Sequence, residues 1–400
     1  MKVGVVVDNE LNNDKRVLRE IEILKEAGYE VFVLCYSFRG KAYKKLEGIK
    51  ITRISINKRI KDILFFFLNT VPVYQWLWSM KIEKFIKENG LKIIHVHDLY
   101  MSKAGWAGIR KSGVSIPLVL DLHENYPYAV TTYNWTKGFL RSMISKPLKW
   151  KKKEKEFLSF PEKIIVLSDE FRDHLVNEYR FLSSERFCVL PNVPDLRQLD
   201  IFRNNTSKAA YDKKAPVILY FGVVAERRGI FNAISSFREV VNKGYDAELL
   251  VIGPIDKKDR SRFFEMISDP HIKEKIKYIS WIDISELPAY LELSDICLAP
   301  FLKNPQHESG VANKIYDYMC GSRPVIASDC LPQKRLLEKY NCGIVYTTQT
   351  EFISSIIKLL SDKELCKRMG ENGYKAVLND LNMERMKSGL NNAYSSLLIN

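Results

Sequence analysis

The 400-residue chain lacks several features that would place it in a protein class at once. No apolar run reaches about 18 residues, so no segment is predicted to cross a membrane as a helix. The first residues, MKVGVVVDNE, turn polar too soon for a signal peptide. The seven cysteines are scattered without a C-x-x-C pair. We therefore expect reduced core cysteines in a cytosolic protein, rather than disulfides or a cysteine metal site.

The chain also has no glycine-rich dinucleotide fingerprint after its first strand. Residues 2–7 read as a buried strand of a parallel sheet, and the polar turn 8–14 leads into a helix that stops at Gly28. A second strand follows at 31–34. This order predicts a doubly wound sheet that binds ligands at the carboxyl ends of its strands. Since the turn carries no G-x-G-x-x-G, we expect no dinucleotide cofactor.

The same pattern of strands and helices restarts halfway along the chain. Residues 1–195 form the first predicted domain, and the polar segment 196–216 reads as a linker. Residues 217–382 form the second domain, and the tail 383–400 has a helical pattern. The length allows each domain to bury its own core. The predicted fold class is therefore α/β, with two Rossmann-like doubly wound domains.

Two pairs of polar residues follow successive buried strands of the first domain. His97 and Asp98 follow one apolar run, and His123 and Glu124 follow the next. Because the carboxyl ends of parallel strands share one edge, these four side chains are predicted to lie at a ligand cleft. A histidine there orients or polarises a hydroxyl, and a neighbouring carboxylate does the same. The alternative is that the histidines are structural, as most single histidines are.

Two aromatic segments with many lysines lie in the first domain. Residues 60–88 join the run ILFFFL to flanking lysines, which is typical of a segment in a membrane interface; the alternative is a core helix interrupted by Pro72. Residues 134–157 interleave eight Lys or Arg residues with apolar ones, which suits an anionic lipid surface. The alternatives are a solvated helix face and a nucleic-acid patch. We favour lipid, because no nucleic-acid motif is present. The net charge of +14 likewise calls for an acidic partner.

A candidate anion site follows the first strand of the second domain. Gly222 comes directly after the strand, and Arg227 and Arg228 stand at the entry of the next helix. A glycine turn exposes backbone N–H groups, and guanidinium groups bind phosphate oxygens well. This segment is therefore predicted to bind a phosphate group.

The stretch HESGVANKIYDYMCGSRPVIASD, residues 307–329, organises the second domain. A loop of small residues precedes a helix, so backbone N–H groups and the helix dipole favour an anion in front of them. Lys314 adds a positive charge, and the carboxylates of Glu308 and Asp317 could hold hydroxyls on either side of a diphosphate. The alternative is a capped surface helix with ordinary charges. The four loop residues are Ser309, Gly310, Val311 and Ala312.

The run NKIYDYMCGSRPVIASD resembles the donor-binding segment of GT-B glycosyltransferases of family 4, which carries an acidic pair in an E-x7-E pattern. Asp317 takes the second acidic position, whereas Ser309 falls on the first and Glu308 stands one residue earlier. The likeness continues along nearly the whole chain. Residues 13–16 match an N-D-x-R element that includes Asp14, and HVHD and DLHE match the family's H-x-H-D and D-x-H-E segments.

This resemblance implies roles for the first domain, which in the family binds the acceptor. Asp14, His97 and Asp98 would lie on the acceptor side. His123 and Glu124 would lie near the acceptor and the donor sugar. We regard both as catalytic candidates, together with Glu308 of the second domain.

In the second domain the family usually reads G-R-L-x-x-x-K-G. Here Val223 replaces the Arg, and Arg228 takes the Lys position. One diphosphate-binding cation is therefore expected from Arg227 or Lys314, while Asp317 binds the ribose and Glu308 the sugar. A strand is predicted at 278–281, and the candidates for stacking the nucleotide base at its end are Trp281 and Ile282.

The resemblance further implies a GT-B fold, with two domains facing a central cleft and a tail that crosses back onto the first domain. The implied reaction is a retaining transfer of a sugar from a nucleotide-diphosphate donor. The basic aromatic surface implies a lipid-linked or saccharide acceptor and peripheral attachment to the inner face of the cytoplasmic membrane, in surface polysaccharide or glycolipid assembly. No D-x-D stands at the donor loop, so we expect no metal and no other cofactor. We expect no nucleic-acid partner.

Two other functions remain open at this point. A nucleotide-sugar epimerase shares the fold and needs no membrane surface. A non-catalytic basic membrane-binding module would leave Glu308, Asp317 and Arg228 dispensable. The sugar, the base and the acceptor are not readable, because pockets separate sugar epimers by single hydroxyl contacts.

Overall fold

The computed structural model describes residues 1–12, 14–38, 48–133, 136, 138–197 and 211–397. The chain divides into two compact units. Unit 1 consists of Met1–Pro191 together with Met386–Asn400, and unit 2 of Asn192–Arg385. Most of the predicted linker, 196–216, lies outside the described residues, as does Asn13 of the N-D-x-R element.

Unit 1 is built on a seven-stranded sheet. Its strands are β1 Lys2–Val6, β2 Glu30–Phe38, β3 Lys50–Ile56, β4 Ile93–His97, β5 Leu118–Asp121, β6 Lys163–Val166 and β7 Phe187–Val189. They lie in the order β3-β2-β1-β4-β5-β6-β7, and each described pair is parallel. The order reverses between β1 and β4, which is where open α/β sheets bind ligands at their carboxyl edge.

The helices of unit 1 connect these parallel strands and cover the sheet. They are α1 Lys15–Glu26, α2 Lys58–Phe66, α3 Val73–Asn89, α4 Ser102–Ser112, α5 Tyr126–Thr132, α6 Phe139–Ser145, α7 Trp150–Phe157 and α8 Asp169–Glu178. A Cβ atom on Gly4 of β1 would lie 2.5 Å from Cδ1 of Leu91, just beyond α3, and 3.0 Å from Cε1 of Phe85 on α3. The glycine in mid-strand therefore lets these side chains pack closely on β1.

Unit 2 repeats the plan with a six-stranded sheet. Its strands are β8 Val217–Phe221, β9 Glu248–Ile252, β10 Ile276–Ile279, β11 Ile296–Ala299, β12 Val325–Ser328 and β13 Gly343–Tyr346. They lie in the order β10-β9-β8-β11-β12-β13, again parallel in each described pair. The order reverses between β8 and β11, so the loops that follow these two strands meet at one edge.

The helices of unit 2 follow the strands in alternation. They are α9 Ile230–Asn242, α10 Arg260–Ile267, α11 Leu287–Leu293, α12 Asn313–Cys320, α13 Leu331–Tyr340, α14 Gln349–Ser361 and α15 Lys363–Asn379. Helix α16, Met383–Ser395, comes last, and most of it belongs to unit 1. There Tyr394 is fully buried and its hydroxyl lies 2.8 Å from His95 Nδ1.

The described helices and strands are of the types predicted from the sequence, except in two details. Strand β3 was not predicted; it is a half-exposed edge strand whose alternating KITRISI pattern is a weaker signal than a buried run. The strand predicted at 278–281 instead ends at Ile279, so Trp281 lies in the turn beyond β10.

The aromatic segment 60–88 folds as two helices separated near Pro72. Helix α3 buries Tyr74 and Trp78 in the core of unit 1, whereas α2 has no fully buried residue. The core-helix interpretation is therefore confirmed for α3, whereas the membrane-interface interpretation stays a prediction that only α2 and the exposed side of α3 could satisfy. Among the described residues, no helix is long and apolar enough to cross a membrane.

Candidate active site

The carboxyl edge of the unit 1 sheet gathers a buried network of charged side chains. His97 ends β4 and pairs in register with Asp121, the last residue of β5. Asp121 is fully buried and accepts two hydrogen bonds from Arg16 of α1, from Nε at 2.7 Å and from Nη2 at 2.8 Å. Arg16 Nη1 also donates to Leu190 O at 2.9 Å. This bidentate contact neutralises the Asp121 carboxylate, which could not otherwise stay ionised inside the protein.

His123 completes the same network from the loop after β5. Its Nε2 lies 3.1 Å from Asp121 Oδ2 and 3.0 Å from His97 Nδ1. Burial alone raises the pKa of Asp121, but Arg16 and then His123 outweigh it and hold that pKa well below its ordinary value. Burial lowers the pKa of His123, but Asp121 and then Asp98 outweigh it and raise that pKa to about 9. His123 is therefore a cation at neutral pH.

Asp98 stands on the other side of the His123 ring. Its backbone adopts a left-handed conformation with φ of 71°, which is uncommon for a residue with a side chain and typical of functional sites. Its Oδ2 accepts from Tyr100 Oη at 3.0 Å. Burial raises the pKa of Asp98 to about 6, although His123 opposes the shift.

Asp14, which the resemblance places on the acceptor side, has a structural contact here. Its Oδ1 caps α1 by accepting from Val17 N at 3.2 Å, and its Oδ2 accepts from Asn9 Nδ2 at 2.8 Å. Glu124 accepts from the hydroxyl of Tyr133, and burial raises the pKa of its carboxyl.

Asp8 lies at the same edge of the sheet and was not among the predicted site residues. Its carboxylate follows β1 directly and accepts from Tyr74 Oη at 2.8 Å and from Tyr100 Oη at 2.9 Å. The signal was present, because Asp8 is the first polar residue after a buried strand at the ligand-binding edge.

A second missed group lies deeper under the same edge. One ligand atom from each of Glu20, His95, His97 and Asp121 lies within 4.8 Å of the others, a spacing compatible with a metal ion. Arg16 Nε, however, lies 3.2 Å from Glu20 Oε1 as well as 2.7 Å from Asp121 Oδ2. The guanidinium therefore already holds the cation position between the two carboxylates.

Unit 2 places two positive side chains together at the β8–β11 edge. Lys314 on α12 is buried; its Nζ has no hydrogen-bond partner among the residues that the structure describes and lies 3.8 Å from the centroid of the Tyr220 ring. Both Lys314 and Arg228 lie over the ring of Phe301, at 5.2 Å and 5.7 Å. Burial and then the Arg228 charge lower the pKa of Lys314 well below its ordinary value, and burial also lowers the pKa of Arg228.

The glycines of this edge bring the backbone close to the two cations. Gly222 has φ of 124°, and a Cβ atom on it would lie 3.3 Å from Lys314 Nζ. Gly229 has φ of 74°, and a Cβ there would lie 1.5 Å from Pro300 O. Only glycine fits at Gly229, which holds the arginine-bearing turn against the end of β11.

Arg227 forms an ion pair. Its Nη1 donates to Asp256 Oδ2 at 2.8 Å, and its side chain is half-exposed. Of the two cations suggested for the missing position, Lys314 is therefore the one that shares the Phe301 ring with Arg228 and has no hydrogen-bonded carboxylate among the described residues.

The loop of residues 309–312 leads into α12, and its side chains differ in orientation. Ser309 is buried, and its Oγ donates to Gln306 O at 2.7 Å. Glu308 Oε1 accepts from Leu331 N at 3.2 Å, at the start of α13. Asp317 is half-buried one turn along α12 from Lys314. Gly310, Val311 and Ala312 are half-buried, and no side chain caps α12.

The two base-stacking candidates differ in exposure. Trp281 is 69% exposed and Ile282 is 9% exposed, in the turn after β10. Asp283 and Glu286 form a capping box directly after them and so rigidify this turn. A large exposed aromatic ring on a rigid turn is suited to stacking on a planar ligand.

Comparisons with known proteins show the family to which these two units belong. The family model described as "Glycosyl transferases group 1" matches residues 202–376, and the model "Glycosyltransferase Family 4" matches residues 15–198. Alpha-D-kanosaminyltransferase of Streptomyces kanamyceticus is 22% identical over 74% of this chain and 75% of its own length. The capsular polysaccharide biosynthesis glycosyltransferase CapM of Staphylococcus aureus is 26% identical over 50% of this chain and 51% of its own length.

Among solved structures, sucrose-phosphate synthase of Thermosynechococcus elongatus superposes with a TM-score of 0.75 at 17% identity, covering 100% of this chain and 99% of its own. The two family matches together take in most of the chain and fall on the two units in the expected order. They confirm the predicted fold class. They also favour an enzyme over the alternative of a non-catalytic module. The protein is therefore a glycosyltransferase, a member of the family 4 enzymes with the two-domain Rossmann-like GT-B fold.

Proposed function

We propose that the protein transfers a sugar from a nucleotide-diphosphate donor to a hydroxyl of a lipid-linked acceptor, with retention of the anomeric configuration. The observation that carries the donor assignment is the buried Lys314 ammonium, which has no hydrogen-bond partner in the described part of the chain and lies beside Arg228. Two like charges in a desolvated site are costly, and an incoming dianion removes that cost. A diphosphate that contacts both Lys314 and Arg228 supplies the negative charge that neutralises them.

The same contacts support the chemical step. When the bond between the anomeric carbon and the phosphate oxygen breaks, its electrons move to the diphosphate, whose charge grows. Lys314, Arg228 and the N–H groups at the start of α12 stabilise that charge. Asp317 accepts from the ribose hydroxyls, Trp281 stacks on the base, and Glu308 uses the oxygen not bonded to Leu331 to hold the sugar.

Retention follows from which groups are near the acceptor. We assign no side chain as a nucleophile, because His123 is a cation and Asp121 is fully engaged by Arg16. The acceptor oxygen forms its bond to the anomeric carbon while the leaving phosphate oxygen takes the acceptor proton, so no strong protein base is needed.

The test is the anomeric configuration of the product with the donor that a screen of nucleotide sugars selects. We expect the anomeric proton coupling of the product to match the donor, and the rate to be the same with and without a metal chelator. An inverted product, or activity that is lost to chelator and restored by magnesium, contradicts the mechanism. Interconversion of the donor sugar without transfer would instead support an epimerase.

The lipid-linked acceptor is supported by an exposed apolar and basic surface, which we call the α2–α6 surface and define as residues 58–76 and 139–152. Asn69 Nδ2 donates to Ser145 O and to Lys146 O, both at 3.0 Å, so the two segments adjoin. Phe139 and Leu148 are 82% and 83% exposed. The exposed basic residues of this surface include Lys58, Arg59, Arg141, Lys149 and Lys152.

Aromatic and aliphatic side chains ringed by lysines favour the interface of an anionic bilayer. This arrangement supports a peripheral enzyme on the inner face of the cytoplasmic membrane, acting in surface polysaccharide or glycolipid assembly. Lys151 is excluded from this role, because its Nζ lies 2.7 Å from Glu154 and 2.8 Å from Glu178 and so stabilises the fold.

Vesicle binding provides the second prediction. We expect the double variant Phe139→Ser, Leu148→Ser to bind vesicles containing phosphatidylglycerol at least about tenfold more weakly than the wild type, since each large apolar side chain contributes about 1.5–3 kcal/mol on burial. Binding should also weaken as salt screens the basic residues. Val114→Ser, which removes an equally apolar side chain that is 44% exposed elsewhere in unit 1, is the matched control. Wild-type protein that ignores anionic vesicles at low salt contradicts the assignment.

A further inference from the structure

The C-terminal helix α16 brings a tyrosine to the buried network of unit 1. Tyr394 is fully buried, and its hydroxyl lies 2.8 Å from Nδ1 of His95. Within the described ranges this hydroxyl makes no other hydrogen bond. His95 belongs to β4, the middle strand of the seven-stranded sheet, so a residue near the end of the chain contacts the centre of unit 1.

His95 connects this tyrosine to His123 by two routes. Its ring stacks on the ring of His97 at 4.4 Å, and His97 Nδ1 lies 3.0 Å from His123 Nε2. Along the second route, His95 Nε2 lies 3.7 Å from Glu20 Oε2, and Glu20 shares the arginine of α1 with Asp121. Both routes end at the cationic ring at the sheet edge.

Burial makes this polar cluster costly for the folded state. His95 and Glu20 are both buried, and neither His95 Nε2 nor Glu20 Oε2 has a hydrogen-bond partner among the described residues. A buried polar atom without a partner costs about 1–3 kcal/mol. The residues on either side of His95 in β4, Ile94 and Val96, are apolar, so the strand itself does not require a histidine. Polar groups that are kept against such a cost are expected at functional sites.

Hydrogen-bond satisfaction determines the direction of the contact between Tyr394 and His95. If Nδ1–H of His95 donated to the tyrosine oxygen, the phenolic proton would be buried without an acceptor among the described residues. The phenol therefore donates to Nδ1. Burial, and then His97, hold the pKa of His95 well below its ordinary value, so the ring is neutral and its single proton lies on Nε2. This Nε2–H faces Glu20.

Glu20 depends on that N–H to stay ionised. Burial, and then the charge of Asp121, raise the pKa of the Glu20 carboxyl well above its ordinary value. Donors face both of its oxygens, since Arg16 Nε lies 3.2 Å from Oε1 and Nε2–H of His95 faces Oε2. An ionised Glu20 in turn attracts the cationic ring of His123. The position of the proton on His95 therefore affects the charge around His123.

We propose that Tyr394 is a positioning residue for sugar transfer that acts through His95. It keeps the His95 proton on Nε2, and the resulting N–H keeps Glu20 ionised beside the network that orients His123. Without the hydroxyl, His95 also adopts the other tautomer, whose Nε2 lone pair repels the Glu20 oxygen. Because Tyr394 is fully buried, it touches no substrate. This inference rests on the proposed transfer at this edge of unit 1.

The first experiment is NMR of the imidazole nitrogens in the ¹⁵N-histidine-labelled full chain, which needs no substrate. We expect one neutral histidine, absent from the spectrum of His95→Asn, to carry its proton on Nε2 alone. In Tyr394→Phe the same ring should populate both tautomers. The pKa of His123 should then fall below about 9, because Glu20 takes up a proton more readily and attracts the cation less. A wild-type His95 protonated on Nδ1, or an unchanged pKa of His123 in Tyr394→Phe, overturns the proposal.

The second experiment measures transfer with the donor and acceptor found in the screen. Tyr394→Phe should lower kcat roughly two- to tenfold, the equivalent of one hydrogen bond of about 0.5–1.5 kcal/mol. Calorimetric affinity for the nucleoside diphosphate should stay at the wild-type value. Tyr179→Phe is the matched control, because it removes a buried hydroxyl that donates to Glu154 at 2.6 Å instead. We expect it to lose stability to a similar extent and to keep the wild-type kcat.

A double variant shows whether the tyrosine acts through the histidine. Since coupled residues have non-additive effects, Tyr394→Phe combined with His95→Asn should transfer sugar no more slowly than His95→Asn alone. Losses that multiply, or a Tyr394→Phe variant with the wild-type kcat, overturn the positioning role even when transfer itself is observed. Wild-type protein that transfers nothing from any donor overturns the proposed function first, and the NMR result then decides the contact between Tyr394 and His95 by itself.

Discussion

Replacing Lys314 with Met should stabilise the protein and abolish tight nucleotide binding at the same time. Lys314 Nζ is buried, has no hydrogen-bond partner within the described ranges and lies against the Tyr220 ring, so the folded protein carries the cost of a desolvated charge. Methionine is unbranched and fills similar space without that charge. The free energy of unfolding should rise by about 1–3 kcal/mol, the cost of one unsatisfied buried donor. For a unit of this size the thermal midpoint should rise by several degrees.

The same substitution should weaken nucleoside diphosphate binding by about tenfold or more, because one charge-assisted contact is worth about 1.5–3 kcal/mol. Arg228→Ala should weaken binding to a similar extent, without the gain in stability. Thermal unfolding and calorimetric titration measure the two effects separately. Lys303→Met is the matched control, since that lysine is half-exposed and paired with Asp329 at 2.8 Å. A Lys314→Met variant that keeps full affinity, or that loses stability, contradicts the role assigned to the buried charge.

Asp121→Ala should be the most destabilising single change at the unit 1 site. It removes the carboxylate to which Arg16 donates two hydrogen bonds. The Arg16 guanidinium is then buried without its main partner. Breaking a buried ion pair in this way costs about 3–5 kcal/mol. His123 loses the same carboxylate, so its pKa should fall from about 9 toward its ordinary value. We expect sugar transfer to be lost.

Two comparisons separate this effect from a general loss of folding. Asp173→Ala removes the exposed partner of Arg172 and should change stability by less than about 1 kcal/mol, as is usual for surface pairs. Nucleoside diphosphate binding by Asp121→Ala, measured at a temperature where circular dichroism shows a folded chain, should match the wild type, because the cations that bind it belong to unit 2. Stability of Asp121→Ala equal to that of Asp173→Ala would contradict the network.

Much of the fold could be read from local patterns. Apolar runs predicted the buried strands that became β1, β4, β5 and β8, since parallel strands covered by helices have no polar face. The edge strand β3 was missed because only half of its residues face the core. The end of β10 was placed two residues too late, because the turn residue Trp281 is as apolar as the strand before it.

The candidate site was predictable to a smaller extent. The strand-end position of His97, Asp98 and His123 followed from the topology, and the structure brings these three together. Which cation lies beside Arg228 could not be read from the sequence, because Arg227 and Lys314 are equally basic. The contact of Arg227 with Asp256 and the burial of Lys314 separate them.

The sequence by itself therefore determined the class of fold, the order of the two units and the segments that carry the chemistry. These depend on the periodicity and turn residues of short stretches, which local interactions decide. Only the tertiary structure decided which charged side chains form ion pairs. Arg16 and Asp121 are 105 residues apart, and their contact exists because the fold brings the start of α1 to the last residue of β5. Ion pairing depends on distance and burial in space, so the protonation of His123 is a property of the folded chain.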